Sequence, residues 1–415
     1  MSFFKKYFAA DEKGDSQPRA MNLDAQQAKI TWKTLHDGSK GGKIERQKFA
    51  ELFPALTPVQ ATFFASLAKG ADKVTVEKTF ALIDSLHGGV EDLADALLSV
   101  FPDPLQALKA TIDVFAVRAK VSAMGSEKLL RYFTREAPKD PSRFGRWLHA
   151  CPIALPLLRY IIDGFTGGMA QDSELLPRLS ASSDLLNEAA LAVINANLPM
   201  ERRRDWTQLF STNRQGSSFS QLSQKIDGQG PCLLVIESTD GHVFGCFASE
   251  GFCTGPQYRG NATSFLFAAH PEIQISNATG RTDNYAYMNY QQQQMPNGIG
   301  MGGYEQVWPL FVAEDFGEGL CQHHVSSFEN INLCGDKQKF SIKTIEAWRC
   351  GERPKAFNAE GEEVYVNQST KSILDKDPQA RALLEMSGRK MHSEAYRDPA
   401  PLLDDVDPDL IQRKK

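Results

Sequence analysis

The change of hydrophobic period near Gly230 constrains this 415-residue chain more than any other feature. Before it, apolar residues recur at three- and four-residue steps. After it comes the continuous run Leu233-Leu234-Val235-Ile236, followed by Asp240-Gly241 and a second apolar run from His242 to Ala248. A continuous apolar run of strand length marks a strand covered on both faces, and Asp-Gly between two such runs is a strong hairpin signal. Further strands are expected at Phe265 to Ala269, Ile273 to Ser276, Asn284 to Tyr290, Val307 to Val312 and Ile342 to Trp348. Several short strands separated by Gly and Asn turns point to a β-sandwich. The fold class expected is therefore α+β, with a helical first half and a strand-rich second half.

The helical half carries its own punctuation. Leu23, Ile30 and Leu35 open an amphipathic helix. Thr57-Pro58, Asp103-Pro104 and Asp140-Pro141 read as caps followed by Pro at the first helical position, and Pro199 ends a helix over Leu185 to Leu198. The loop from Asp37 to Lys48 has the shape of an EF-hand. Gly42 falls at its sixth position, where the loop turns sharply, and Ile44 at its eighth, which pairs with a partner loop; Asp72 to Val76 is the candidate partner. Its fifth position is Gly41 and its twelfth is Lys48, where calcium requires a bidentate carboxylate. A helical pair without the metal is expected.

Composition excludes several classes. The net charge is −5, so no overall basic field points to nucleic acid. No stretch of about 18 apolar residues is available to span a membrane. Seven cysteines without a Cys-x-x-Cys pair argue against a disulfide scaffold and a zinc ribbon. The N-terminal MSFFKKYF is too short and charged for a signal peptide, and Ser2 takes the place of the glycine that N-myristoylation requires. Its aromatic and basic residues suit either a weak interfacial anchor or docking on the protein's own core.

Catalytic candidates are weak. Gly298, Gly300, Gly302 and Gly303 lead into a strand rather than a helix N-terminus, so they read as turn geometry rather than a phosphate cradle. Ser218 lacks a nucleophile elbow and an identifiable base. Glu314 and Asp315 read as a charged turn. His323 and His324, adjacent in sequence, point to opposite faces if they lie on a strand. No cofactor and no metal are expected.

The ordered series GSSFSQL (216–222), GPCLLVIESTDGHVFGCFAS (230–249), NGIGMGGYEQVW (297–308), EDFGEG (314–319) and IEAWRCG (345–351) resembles the TLDc-domain family. The EF-hand character, QQQQMPNGIGMGG and the tail motif SILDKDPQARALLEMSG resemble the MTOR-associated, lysosomal branch of that family. The resemblance implies a non-catalytic peripheral regulator or adaptor that binds subunits of the vacuolar-type proton ATPase through the TLDc domain and a C-terminal helix. It implies a link to the MTOR complex, and a cytoplasmic location at the lysosomal or vacuolar surface with peripheral membrane association at most. A second reading is an oxidative-stress-resistance protein that acts as a cysteine redox sensor or antioxidant enzyme, with Cys253 as the candidate thiol.

The domain expectation is an N-terminal segment and linker (1–20), an EF-hand-like helical domain (21–130), a helical connecting region (131–204), the TLDc domain (205–352), a linker (353–372), a C-terminal helix (373–394) and an acidic tail (395–415). In the tail, Asp377-Pro378 is a cap and Gly388 a stop. A helix of about ten residues is marginal alone in water, so Leu383, Leu384 and Met386 are the expected partner-binding residues.

Overall fold

The computed structural model describes residues 20–167, 175–291, 295–303, 307–323, 326–335, 337–357 and 363–365. The expected C-terminal helix with Leu383, Leu384 and Met386, the N-terminal segment and the acidic tail lie outside the described residues.

The described residues open with two helix–loop–helix units. α1 (Ala25–Asp37), β1 (Lys43–Glu45) and α2 (Arg46–Leu52) form the first; α3 (Gln60–Ala68), β2 (Lys73–Thr75) and α4 (Val76–Leu86) form the second. Asp24 caps α1 by accepting from Gln26 and Gln27 N–H at 2.9 and 2.8 Å. β1 and β2 pair antiparallel with Ile44 opposite Val74, both fully or almost fully buried. This is the paired EF-hand geometry expected from the loop, with Gly42 supplying the left-handed turn at φ 70°.

The helix expected to start at Thr57-Pro58 starts later. Pro54–Leu56 forms a 3₁₀ turn, Val59 N–H bonds back to the Leu56 carbonyl, and the Gln60 amide reaches the Ala50 and Phe53 carbonyls. The Thr57 hydroxyl likewise turns back to the Pro54 carbonyl and does not cap forward.

Asp84 ties the two units to the segment just before α1. It is fully buried on α4, and its carboxylate accepts from Met21, Asn22 and Leu23 N–H at 3.1, 3.1 and 2.8 Å. Helices α5 (Val90–Val100), α6 (Pro104–Ala119), α7 (Ala123–Glu136), α8 (Phe144–Ala150) and α9 (Ala154–Thr166) complete the first half. Asp103 caps α6 through Leu105 N–H at 2.8 Å, as the Asp-Pro signal predicts.

β3 (Arg178–Leu179), α10 (Glu188–Asn197), β4 (Asp205–Ser211), α11 (Thr212–Gln215) and α12 (Phe219–Ile226) lead into β5 (Cys232–Ser238), β6 (Val243–Ala248), β7 (Gly255–Arg259), β8 (Phe265–His270) and β9 (Gln274–Asn277). Then follow β10 (Ala286–Asn289), β11 (Gly298–Met301), β12 (Leu310–Ala313), β13 (Glu318–Leu320), β14 (Lys339–Cys350), β15 (Lys355–Phe357) and β16 (Glu363–Tyr365). The Asp240-Gly241 hairpin joins β5 to β6, closed by Gly241 N–H to the Ser238 carbonyl and Ser238 N–H to the His242 carbonyl, both at 2.9 Å.

The sandwich is one sheet folded on itself. Among the described residues its main path runs β10-β11-β12-β13-β14-β5-β6-β8-β9, with β4 on β14 and β3 on β4. β14 belongs to both layers. Its first residues, Lys339 to Ser341, pair with β13, and its remainder pairs with β5 and β4. Leu234, Ile236, Phe244 and Cys246 meet Ile299, Met301, Leu310 and Val312 in the core between the layers. The alternate residues Leu233, Val235, Phe247, Phe267 and Trp348 belong to the helical core, which runs from Leu23 to Cys350. The β5 layer is thus apolar on both faces, the physical reason for its unbroken LLVI run.

A buried carboxylate fastens the two halves. Glu346 on β14 is 0% exposed. It accepts from Ser183 Oγ at 2.6 Å, Asp184 N–H at 2.8 Å and Trp348 Nε1 at 3.0 Å. Glu346→Ala strands the buried Trp348 indole N–H and removes the acceptor of the half-buried Ser183 hydroxyl and the Asp184 N–H, and urea unfolding is expected to show a loss of about 3 kcal/mol. Glu346→Gln keeps an acceptor and is expected to cost distinctly less.

Candidate functional site

The polar groups singled out from the sequence do structural work. Ser218 caps α12 by accepting from Gln221 N–H at 3.3 Å. Glu314 accepts from Asn297 Nδ2 at 3.2 Å, and Asp315 from Gly317 N–H at 3.1 Å, closing the turn between β12 and β13. His323 Nδ1 faces the Ile331 carbonyl at 3.2 Å; His324 lies outside the described residues. No cluster of three or more His, Cys, Asp or Glu suited to a metal occurs among the described residues.

The first part of the glycine run departs from its expected turn, while Gly302, at φ 68°, keeps the left-handed backbone of one. Gly298–Met301 is strand β11, central in the second layer between β10 and β12. Gly300 sits opposite Tyr287 on one neighbour and Phe311 on the other. A Cβ at Gly300 would come within 2.8 Å of the Leu310 carbonyl oxygen and the Phe311 ring, and 2.9 Å of the Trp308 indole. The bare backbone is therefore a floor for aromatic rings, as aromatic residues cover strand glycines elsewhere. Trp308 lies 4.7 Å from Phe311 and 5.4 Å from Tyr287 between ring centroids, and Tyr258 on β7 lies 5.4 Å from Tyr287. Tyr287 OH donates to the Pro296 carbonyl at 2.7 Å. Sequence reasoning missed this cluster. The alternation of Tyr285 and Tyr287 facing a glycine-alternating strand was the available signal. Met295 and Val307, beside this layer, are exposed apolar residues.

The EF-hand-shaped loop is cationic where calcium would sit. Lys48 at its twelfth position pairs with Glu51 at 3.0 Å, and Glu45 pairs with Lys73 across β1 and β2 at 2.9 Å. That lysine holds the Glu45 carboxyl below its ordinary value through a hydrogen bond and charge. A loop with Lys48 facing its ligand position repels a divalent cation.

The thiols are buried. Cys253 is 5% exposed, and burial pushes its pKa up, the opposite of what a reactive thiolate needs. Cys151 is pushed up to about 11 and Cys232 to about 12 by burial, and Cys246 and Cys350 also rise. Cys321 and Cys334 form a disulfide that ties the end of β13 to the loop before β14; their separation in sequence gave no sign of the pairing.

Two measurements test this geometry. Calorimetry at micromolar calcium is expected to give no binding heat at Asp37 to Lys48. The thiol of Cys232 ionises from about pH 9 in the unfolded chain but near 12 when folded. Its contribution to stability is fully present below pH 9 and lost as pH rises toward 12. Chemical unfolding across that window is expected to show falling stability, with slow labelling of the buried thiols at pH 8.

The comparisons with known proteins agree with this architecture. The TLDc domain family model matches residues 179–351. The MTOR-associated protein MEAK7 of Gallus gallus is 38% identical over 223 residues, 53% of this chain and 46% of that protein. The Danio rerio protein of the same name is 30% identical over 383 residues, 88% of this chain and 81% of that protein. The chain spans about half the length of the Gallus gallus and Homo sapiens relatives it matches. Oxidation resistance protein 1 of Rattus norvegicus is 31% identical over 174 residues, 41% of this chain and 20% of that protein. No helix among the described residues is long and apolar enough to cross a membrane. With the similarity running through both the paired helix–loop–helix units and the folded sheet, the chain belongs to the TLDc-domain family, in the group of its MTOR-associated relatives.

Proposed function

We propose that this chain is a non-catalytic peripheral regulator that binds the vacuolar-type proton ATPase at the lysosomal or vacuolar surface, using the TLDc domain and the helix expected over 373–394. The observation that carries it is similarity over 383 residues to an MTOR-associated relative, which embraces the helical half and the TLDc domain together. The proton pump enters through the family resemblance, and the MTOR link through the relatives' names. The geometry agrees with binding rather than turnover: Ser218, Glu314, Asp315 and His323 are each engaged in capping or turn contacts. A short amphipathic helix supplies affinity by laying apolar anchors into a groove, the role assigned to Leu383, Leu384 and Met386.

A redox role is the second reading, favoured by the partial similarity to oxidation resistance protein 1. The burial of Cys253 removes its first candidate, so such a role would have to proceed without an exposed low-pKa thiol there.

The test is co-purification of the tagged full-length protein with the proton pump, with subunits identified by mass spectrometry. Leu383→Asp is expected to lower recovery of pump subunits at least tenfold while leaving the melting temperature unchanged. Equal recovery by the variant and the parent would overturn the role of the helix; no pump subunits with either would overturn the pump reading itself.

A further inference from the structure

The seam between the helical half and the sheet holds an open cleft of about 530 Å³, within the size range of ligand pockets. α7 contributes Tyr132, Arg135 and Glu136, and Trp147 of α8 stands beside them. The far wall is β9, with Gln274, Ile275 and Asn277, and Glu329.

β9 is the last strand of the main sheet path, and its outer edge is almost closed. The Asn277 carbonyl accepts from Glu329 N–H at 2.9 Å, and Asn277 N–H donates to Glu329 Oε2 at 3.2 Å. Ala278 bridges Phe328, and Thr279 N–H bonds to the Ser327 carbonyl at 3.0 Å. The backbone groups of a strand residue in an antiparallel ladder point to one side, and the side alternates along the strand. Ile275 and Ile273 therefore face outward with Asn277. The Arg135 guanidinium donates to the Ile273 carbonyl. Between these two closed positions, the outward N–H and carbonyl of Ile275 meet no partner among the described residues and open on the cleft. A strand edge left open in this way is a template for another strand.

The lining also has a charge bias. Arg135 is engaged by Glu136 at 2.9 Å and approached by Glu272 at 3.8 Å. Glu329 forms no ion pair among the described residues, so two lining carboxylates face one guanidinium that is already held.

We propose that this cleft receives a short extended peptide carrying a basic side chain, presented by a protein partner. The peptide pairs with Ile275 by strand addition and sets its cation toward Glu329. The span from Ile273 to Asn277 is about 13 Å, room for roughly three to four extended residues, with Tyr132 and Trp147 as an aromatic wall. The site is separate from the tail helix and does not depend on the pump reading.

The test uses the full-length chain and a fluorescent acetyl-Val-Lys-Val-amide probe. Controls are the same peptide N-methylated at its central residue and a Val-Glu-Val version. Anisotropy is expected to show saturable binding of the lysine peptide, weakened at least tenfold by either control. Glu329→Gln, which keeps an acceptor for Asn277 N–H, is expected to weaken it about fivefold. Hydrogen exchange over 272–278 is expected to slow when the probe binds. Equal binding of the N-methylated peptide, or no effect of Glu329→Gln, would overturn the proposal. So would exchange at Ile275 already slow in the free chain: at low concentration this would mean that the chain's own segment fills the cleft, and only at high concentration that a second copy does.

Discussion

The two-sided burial of the β5 layer is the constraint on which the rest depends. Leu234 and Ile236 point into the sandwich, while Leu233 and Val235 point into the helical core. Neither face of this layer can be exposed to water without losing a hydrophobic contact surface. At about 25 cal/mol per Å² of apolar area, removing the helical cover would expose Trp348, Phe247 and Phe267 together. The helices before the TLDc match are therefore a structural layer of the same core. Glu346 reinforces that dependence by using a buried carboxyl group to hold the 183–184 segment against β14. A buried carboxylate is tolerated only when its oxygens are filled by donors, and here three donors converge.

The paired helix–loop–helix units follow the same logic at smaller scale. Calcium in an EF-hand brings the ends of a loop together by neutralising its acids. Here the loops are held by the Ile44–Val74 pair, by Lys73 across from Glu45, and by Asp84 gathering the Met21 to Leu23 amides. The fold keeps the EF-hand shape while its charges cancel within the protein. Lys48 places a cation at the position where calcium needs a bidentate carboxylate.

Much of this architecture was legible because periodicity and turn chemistry are local. The LLVI run announced a doubly covered strand, Asp240-Gly241 its hairpin, and Gly42 with Ile44 the paired loops. The misread positions depend on contacts distant in sequence. Glycines at 298 and 300 look like a turn until Tyr287 and Phe311 are seen on the flanking strands. Thr57-Pro58 looks like a cap until Gln60 is seen reaching to Ala50 and Phe53. The Cys321–Cys334 disulfide and the fastening of Glu346 by Ser183 likewise join residues whose spacing carries no signal. Candidate chemistry at Ser218, Glu314 and His323 could be weighed from sequence only by missing motifs; the bonds these residues make depend on neighbours that the fold supplies.

Covering both faces of one sheet layer also limits where a partner can bind. A protein whose central strands are apolar on each side cannot offer those faces without unfolding, so recognition falls to edges, rims and appended segments. The described surface fits that rule. Met295 and Val307 are exposed in the loops flanking β11, the aromatic cluster is sealed against the Gly300 backbone, and β9 ends the main sheet path with a single outward rung at Ile275. Burial of Cys253 and the other thiols follows from the same packing, because they lie within or against the covered layers. A close-packed core of this kind does not open either face of its central layer without losing packing, which is why affinity in such a chain is best sought at strand edges.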